Sequence, residues 1–407
     1  MLSRRIRWAA LVIATATATA CGAHVEGTAR PGEIDVRTMD IGNYSTDPLE
    51  LRFQFSPDFT YGLILAEQRL GGQVATGPEI DSRLRYGNGT RSFSTSTDAA
   101  HALADATAPV LDADGLLFGF ASATSELNPD DKTRQPDAGA QAKVVVMQFA
   151  DEAAATKAAA DLEAADFKVA ADINQPVSLP KYSAAHTHWR PGIATAGSFL
   201  AHGAYVLHTM AGLKDADLGQ LTDLLQKIYD AQLPLLDQLK PLDREGILRL
   251  PNDPDGMLRQ TLNPDGFGLP DNDTQITSTA RGFLHRVADQ AHWEKVMSDA
   301  GVDRFSLSGF DFDGPSMVFR ARDPRSARAL ASTILDPAYP GAAEAPAQVP
   351  DVVCGESPPL GDGLSEKKRY RCAVTYRRFV ATVDSDQITD VHQRAAAQYA
   401  LLANSTW

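Results

Sequence analysis

Four histidines are the densest group of potential metal ligands or proton carriers in this chain. They are His186, His188, His202 and His208. In an extended segment His186 and His188 share a face, because side chains two apart point the same way. A hairpin through His202-Gly203 could bring His202 or His208 beside them. No carboxylate motif completes a metal site, so surface or packed histidines are the preferred reading and no cofactor is expected. Ser365-Glu366-Lys367-Lys368 has the Ser-x-x-Lys spacing of serine acylases. That chemistry needs its serine at a helix start, with partners this chain lacks. Asp112–Gly115, Asp253–Gly256 and Asp311–Gly314 have calcium-loop letters, but none runs on to a closing Glu, and turn formation explains them. No nucleophile elbow, zinc-protease helix, phosphate-cradling loop or dinucleotide fingerprint occurs.

The cysteines say more about place than about chemistry. Arg4, Arg5 and Arg7 precede a short apolar stretch, then Ala/Thr residues, then Cys21. This is the order of a secretory signal, too short for a good membrane span. A Cys at the cut resembles a bacterial lipobox, in which the thiol takes a diacylglyceryl group with palmitate-type chains. Ala18 stands where such motifs usually carry Leu. The alternative is a plain signal with a chance Cys. Cys354 and Cys372 flank a Gly/Pro-rich loop between two expected strands, and in an exported protein they should pair. Two buried free thiols are the other possibility.

At 407 residues two domains are expected, and the net charge of −14 disfavours nucleic-acid partners. The expected plan is a signal over 1–20, a tether over 21–40, and α+β units over 41–240 and 241–407. Helices are expected at Phe59–Leu70, Ala99–Leu111, Glu152–Ala165, Leu218–Leu233, Ala280–Ala300, Ser326–Leu335 and Asp386–Asn404. Lys143–Phe149, Ser316–Ala321, Tyr370–Tyr376 and Phe379–Val383 are the clearest strands. Pro234 and Pro241 bracket an apparent linker.

The halves look alike. Asp151 and Asp323 each follow a strand and cap a helix; Tyr205–His208 and Phe379–Thr382 each precede a long helix; Pro176 and Pro350 each open an extended piece. These pairs recur at a spacing of roughly 175 residues. Gly115 and Gly301, each between a helix and a strand, are set wider by the polar loop Thr124–Gln141. The expectation is two similar units, each with helices packed on one face of a mostly antiparallel sheet.

The lipobox, Asp40-Ile41-Gly42-Asn43-Tyr44, Ala300-Gly301-Val302-Asp303, Arg320-Ala321-Arg322-Asp323 and Ala395–Leu402 resemble an uncharacterised lipoprotein family of mycobacteria, nocardiae and related actinobacteria. The resemblance implies a lipid-anchored place on the outer face of the cytoplasmic membrane or in the envelope, and a two-part fold. It implies no catalytic residue. The reading is therefore a non-catalytic binding or scaffolding protein whose partner is an envelope protein, glycan or lipid. The alternatives are an envelope hydrolase with scattered site residues, or a carrier of an apolar ligand. The loop Thr124–Gln141 and the basic run Lys367, Lys368, Arg369, Arg371, Arg377 and Arg378 are the candidate contact surfaces.

Overall fold

The structure is a computed structural model that describes residues 34–48, 56–131, 133, 139–265, 269–309, 314–335, 338–358 and 367–405. Cys21 and Ser365 lie outside these residues, as does part of the Thr124–Gln141 loop. Val36–Trp407 forms one compact unit.

The first half contains α1 (Phe59–Gly71), α2 (Gly77–Ile80), β1 (Tyr86–Phe93), α3 (Ser96–Ala100), α4 (Ala108–Asp114), β2 (Phe118–Ser125), β3 (Gln141–Gln148) and α5 (Glu152–Lys168). It continues through β4 (Gln175–Val177), β5 (His186–Trp189), β6 (Thr195–His202), β7 (Tyr205–Gly212), α6 (Leu218–Leu236) and α7 (Arg244–Leu248). The second half contains β8 (Gln275–Thr279), α8 (Ala280–Leu284), α9 (Gln290–Ala300), β9 (Arg304–Ser308), β10 (Ser316–Arg320) and α10 (Pro324–Thr333). Then come β11 (Gly341–Ala343), β12 (Val352–Glu356), β13 (Tyr370–Tyr376), β14 (Phe379–Ser385) and α11 (Ile388–Asn404).

The strands form two seven-stranded sheets, ordered β1-β2-β3-β7-β6-β5-β4 and β8-β9-β10-β14-β13-β12-β11. Every neighbouring pair is antiparallel. The two orders are the same, strand for strand, so the chain holds two similar α+β units. Asp151 and Asp323 occupy equivalent turns and do the same work. Each carboxylate accepts from the backbone N–H three residues on, Ala154 at 2.8 Å and Ser326 at 2.7 Å, and starts its helix. Gly115 and Gly301 are equivalent left-handed helix ends, at φ 75° and 60°. Pro176 and Pro350 are not equivalent: Pro176 lies in β4, whose counterpart is β11, whereas Pro350 precedes β12.

Helices cover both faces of the first sheet. Val144, Val146 and Leu207 pack with Leu70 of α1 and with Leu221, Leu225 and Ile228 of α6. Val145, Met147, Phe199 and Val206 pack on the opposite side with Leu111 of α4 and the alanine face of α5. Alternate residues of one strand thus serve two cores, which explains the unbroken apolar run in β3. In the second sheet Phe305, Phe319 and Val380 meet α8, α9 and α10, and α11 also packs on β13 and β14.

Three local expectations differ from the structure. Helix α6 runs through Pro234 to Leu236, because a proline this near a helix end removes a single backbone bond. Ala280–Ala300 is two helices, with Asp289 capping the second by accepting from His292 N–H at 3.0 Å. Ala99–Leu111 is likewise split, with Thr95 capping α3 and Pro109 in the first turn of α4. At the other end, Val36–Thr38 already form a 3-10 turn and Met39 is buried. Asp40–Tyr44 then dock on α11, where Tyr44 Oη donates to Asp390 at 2.6 Å and receives from Arg394 Nε at 2.9 Å.

Candidate functional site

Strand pairing determines which histidines can cooperate. One row crosses the first sheet as Lys143, Met210, Gly197 and His188, each directly opposite the next. The neighbouring row is Val145, His208, Phe199 and His186. His188 and His208 therefore share the α5-side face, and both line one cavity of about 330 Å³. His186 is on the same face but exposed. His202 has the opposite parity, and its Nε2 meets Asp237 at the end of α6, 2.7 Å away.

Gly197 makes the cavity. A Cβ built there would meet only His208 Nε2, at 3.8 Å. Around this gap the polar groups hold one another. His188 Nδ1 lies 3.2 Å from Glu163, and its Nε2 lies 4.0 Å from Asp166. Lys143 Nζ donates to the Ala102 carbonyl at 2.9 Å. Burial lowers the pKa of Lys143 and raises that of Asp166, and each moderates the other's shift through its opposite charge. Burial, with Lys143 and His188 nearby, pushes His208 down to about 3, so its ring is neutral. His208 Nδ1 is a buried atom without a hydrogen-bond partner. The mouth is apolar, with Val169 60% and Ile193 45% exposed.

A second cavity, of about 280 Å³, lies where the two halves meet and is lined by Gln68, Ser92, Phe120, Asn272 and His285 among others. Behind it Glu67 of α1 accepts from Asn272 Nδ2 at 2.5 Å and is hydrogen-bonded to Ser92 and Ser94. Burial overrides these donors and raises its pKa to about 7. Nearby, Ser122 Oγ is 3.0 Å from His285 Nδ1, and His285 Nε2 is 2.9 Å from the Val74 carbonyl. A carbonyl only accepts, so Nε2 carries the proton and Nδ1 accepts from the serine. This serine–histidine pair is 163 residues apart in sequence, and no local motif announces it. Both side chains are buried, and burial pushes His285 down to about 4. The pair acts as a neutral staple across the seam, beside the Arg281–Glu79 ion pair at 2.9 Å.

The other candidates among the described residues resolve as structure, and Asp311 lies outside them. Cys354 and Cys372 face each other on β12 and β13 and form a disulfide. The basic run is largely matched: Lys368 pairs with Asp386, Arg369 with Glu356, and half-buried Arg371 grips Asp384 with two bonds of 2.6 Å. Lys367 lies over the Tyr339 ring. Asp253 accepts from the backbone N–H groups of Leu258 and Arg259, which is turn chemistry. Among the described residues no three His, Cys, Asp or Glu side chains are placed to hold a metal, and no helix is long and apolar enough to cross a membrane.

Among curated proteins nothing matches this chain. Among solved structures, the extracellular domain of PknH from Mycobacterium tuberculosis is similar at 14% identity and a TM-score of 0.31. The match covers 45% of this chain and 98% of that domain, and a likeness at this level carries no functional argument. Residues 54–252 match the domain of unknown function DUF7373, N-terminal, and residues 257–405 match DUF7373, C-terminal. The junction falls between the last helix of the first unit and the first strand of the second. Most of the chain is accounted for, and it belongs to the DUF7373 family.

Proposed function

We propose that this chain is an exported, lipid-anchored protein of the cell envelope that binds a ligand over Gly197 and catalyses no reaction on it. The cavity carries this reading. Its ionisable groups are arranged to hold each other, and its space comes from a missing side chain rather than from a catalytic constellation. His188 is engaged by Glu163, Lys143 by a carbonyl, and neither activates a nucleophile. The leader Arg4–Cys21 supplies the envelope address, and the acidic chain favours protein, glycan or lipid partners over nucleic acid. Lipidation is tested by intact mass: the mature protein should begin at acylated Cys21, and a free Cys21 or another start removes the anchor from the proposal.

One observation favours a second reading. Glu67, poised near neutrality behind a polar cleft, has the character of a general base in a hydrolase. A screen of the chain against esterase, peptidase, phosphatase and glycosidase substrates separates the two. Turnover that Glu67→Gln abolishes would establish the hydrolase and overturn the binding role.

A further inference from the structure

We propose that the cavity over Gly197 takes a single-chain amphiphile with an uncharged, hydrogen-bonding head. The head would sit on the floor made by Lys143, Asp166, His188 and His208, with its chain against Val169 and Ile193. This rests on the binding reading above and adds the class of ligand.

Three observations converge on that class. The floor offers both kinds of hydrogen bond. Lys143 spends one N–H on Ala102 and has two more to give, Asp166 can accept, and His208 turns its Nε2 toward the Gly197 gap.

The floor also carries a charge of each sign. Lys143 stands against Asp166, and Arg190 is a further lining residue. A carboxylate or phosphate head would meet Asp166, and an ammonium head would meet Lys143. A hydroxyl or amide head offends neither and can use donors and acceptors together.

The mouth supplies the apolar half. Val169, Ile173 and Ile193 are half of the exposed large apolar side chains among the described residues. Val169 and Ile193 line the cavity, and Ile173 adjoins Asn174, which also lines it. Covering such side chains is favourable in proportion to the apolar area removed from water. A cavity of about 330 Å³ holds a polar head and the first part of a chain, not a whole diacyl lipid.

The test uses the compact unit Val36–Trp407, which contains both sheets, their cores and the disulfide. It is titrated calorimetrically with monodecanoylglycerol below its micelle concentration, and in parallel with decanoate, decyltrimethylammonium and glycerol. The expected result is one saturable site for the monoglyceride, with the two ionic amphiphiles weaker by about tenfold or more. Gly197→Val fills the gap at a strand position with room for a Cβ and should abolish binding while leaving the melting temperature near wild type. Should that variant fail to fold, the exposed double change V169D/I193D serves instead and should weaken binding by about tenfold or more. If an ionic amphiphile binds as well and Gly197→Val still abolishes it, the uncharged-head assignment is overturned and the binding reading stands. If no probe binds, or binding survives both variants, the amphiphile site is overturned; glycosyl or peptide probes blocked by Gly197→Val would then still uphold the binding reading.

Discussion

Glu67 is where a single proton should be readable in the stability of the whole molecule. Its carboxyl is buried at the seam and shifted from 4.5 to about 7, first by desolvation and also by Asp98, against donors at Asn272, Ser94 and Ser92. Between those two values the folded protein holds a proton that the unfolded chain has released. Stability from this group is therefore full below about pH 4.5, falls as pH rises, and is lost above about pH 7. At 1.36 kcal/mol per unit the loss is ~3 kcal/mol. Glu67→Gln keeps the shape and removes the proton. Whatever constant offset the amide introduces, the stability of the variant minus that of wild type should grow by ~3 kcal/mol from about pH 4.5 to about pH 8. His208 and His285 act in the opposite sense. They are neutral in the fold, with values near 3 and 4, and take up protons on unfolding below about pH 6.5. Both proteins lose that stability as pH falls, so it cancels in the difference. Urea midpoints followed by circular dichroism across this range give the answer. Parallel stability curves for the two proteins would refute a buried, ionisable Glu67.

Four further outcomes follow from the fold. Arg377 sits in the left-handed region at φ 51°, where its counterpart in the first unit is Gly203 at φ 54°; Arg377→Gly should stabilise by up to about 1 kcal/mol, seen as a higher melting temperature. Asp151→Ala and Asp323→Ala each remove one helix cap and should each cost about 1 kcal/mol in urea unfolding. Replacing Cys354 and Cys372 together by Ser should cost about 3 kcal/mol, and thiol labelling of denatured, non-reduced wild type should find neither Cys reactive. Ser122→Ala leaves His285 Nδ1 buried without its donor and should cost about 1–3 kcal/mol.

Much of the architecture was legible because it depends on neighbours in sequence. An Asp three residues before a free helix N–H, a glycine at a left-handed helix end and β-branched runs are local signals. Their recurrence along the chain marks two units without reference to strand pairing. The cysteine pair was legible for a related reason, since the expected strands on either side left the two residues facing. Tertiary packing decided the rest. His188 and His208 share a cavity and His202 does not, because register and strand parity assign each side chain to a face, and spacing in sequence carries neither. Gly197 reads as an ordinary strand glycine until its cross-strand neighbours reveal the gap it leaves. Glu67, and the pairing of Ser122 with His285, acquire their character from burial against residues more than a hundred positions away. Desolvation belongs to the packed seam between the two units, and no stretch of sequence contains it.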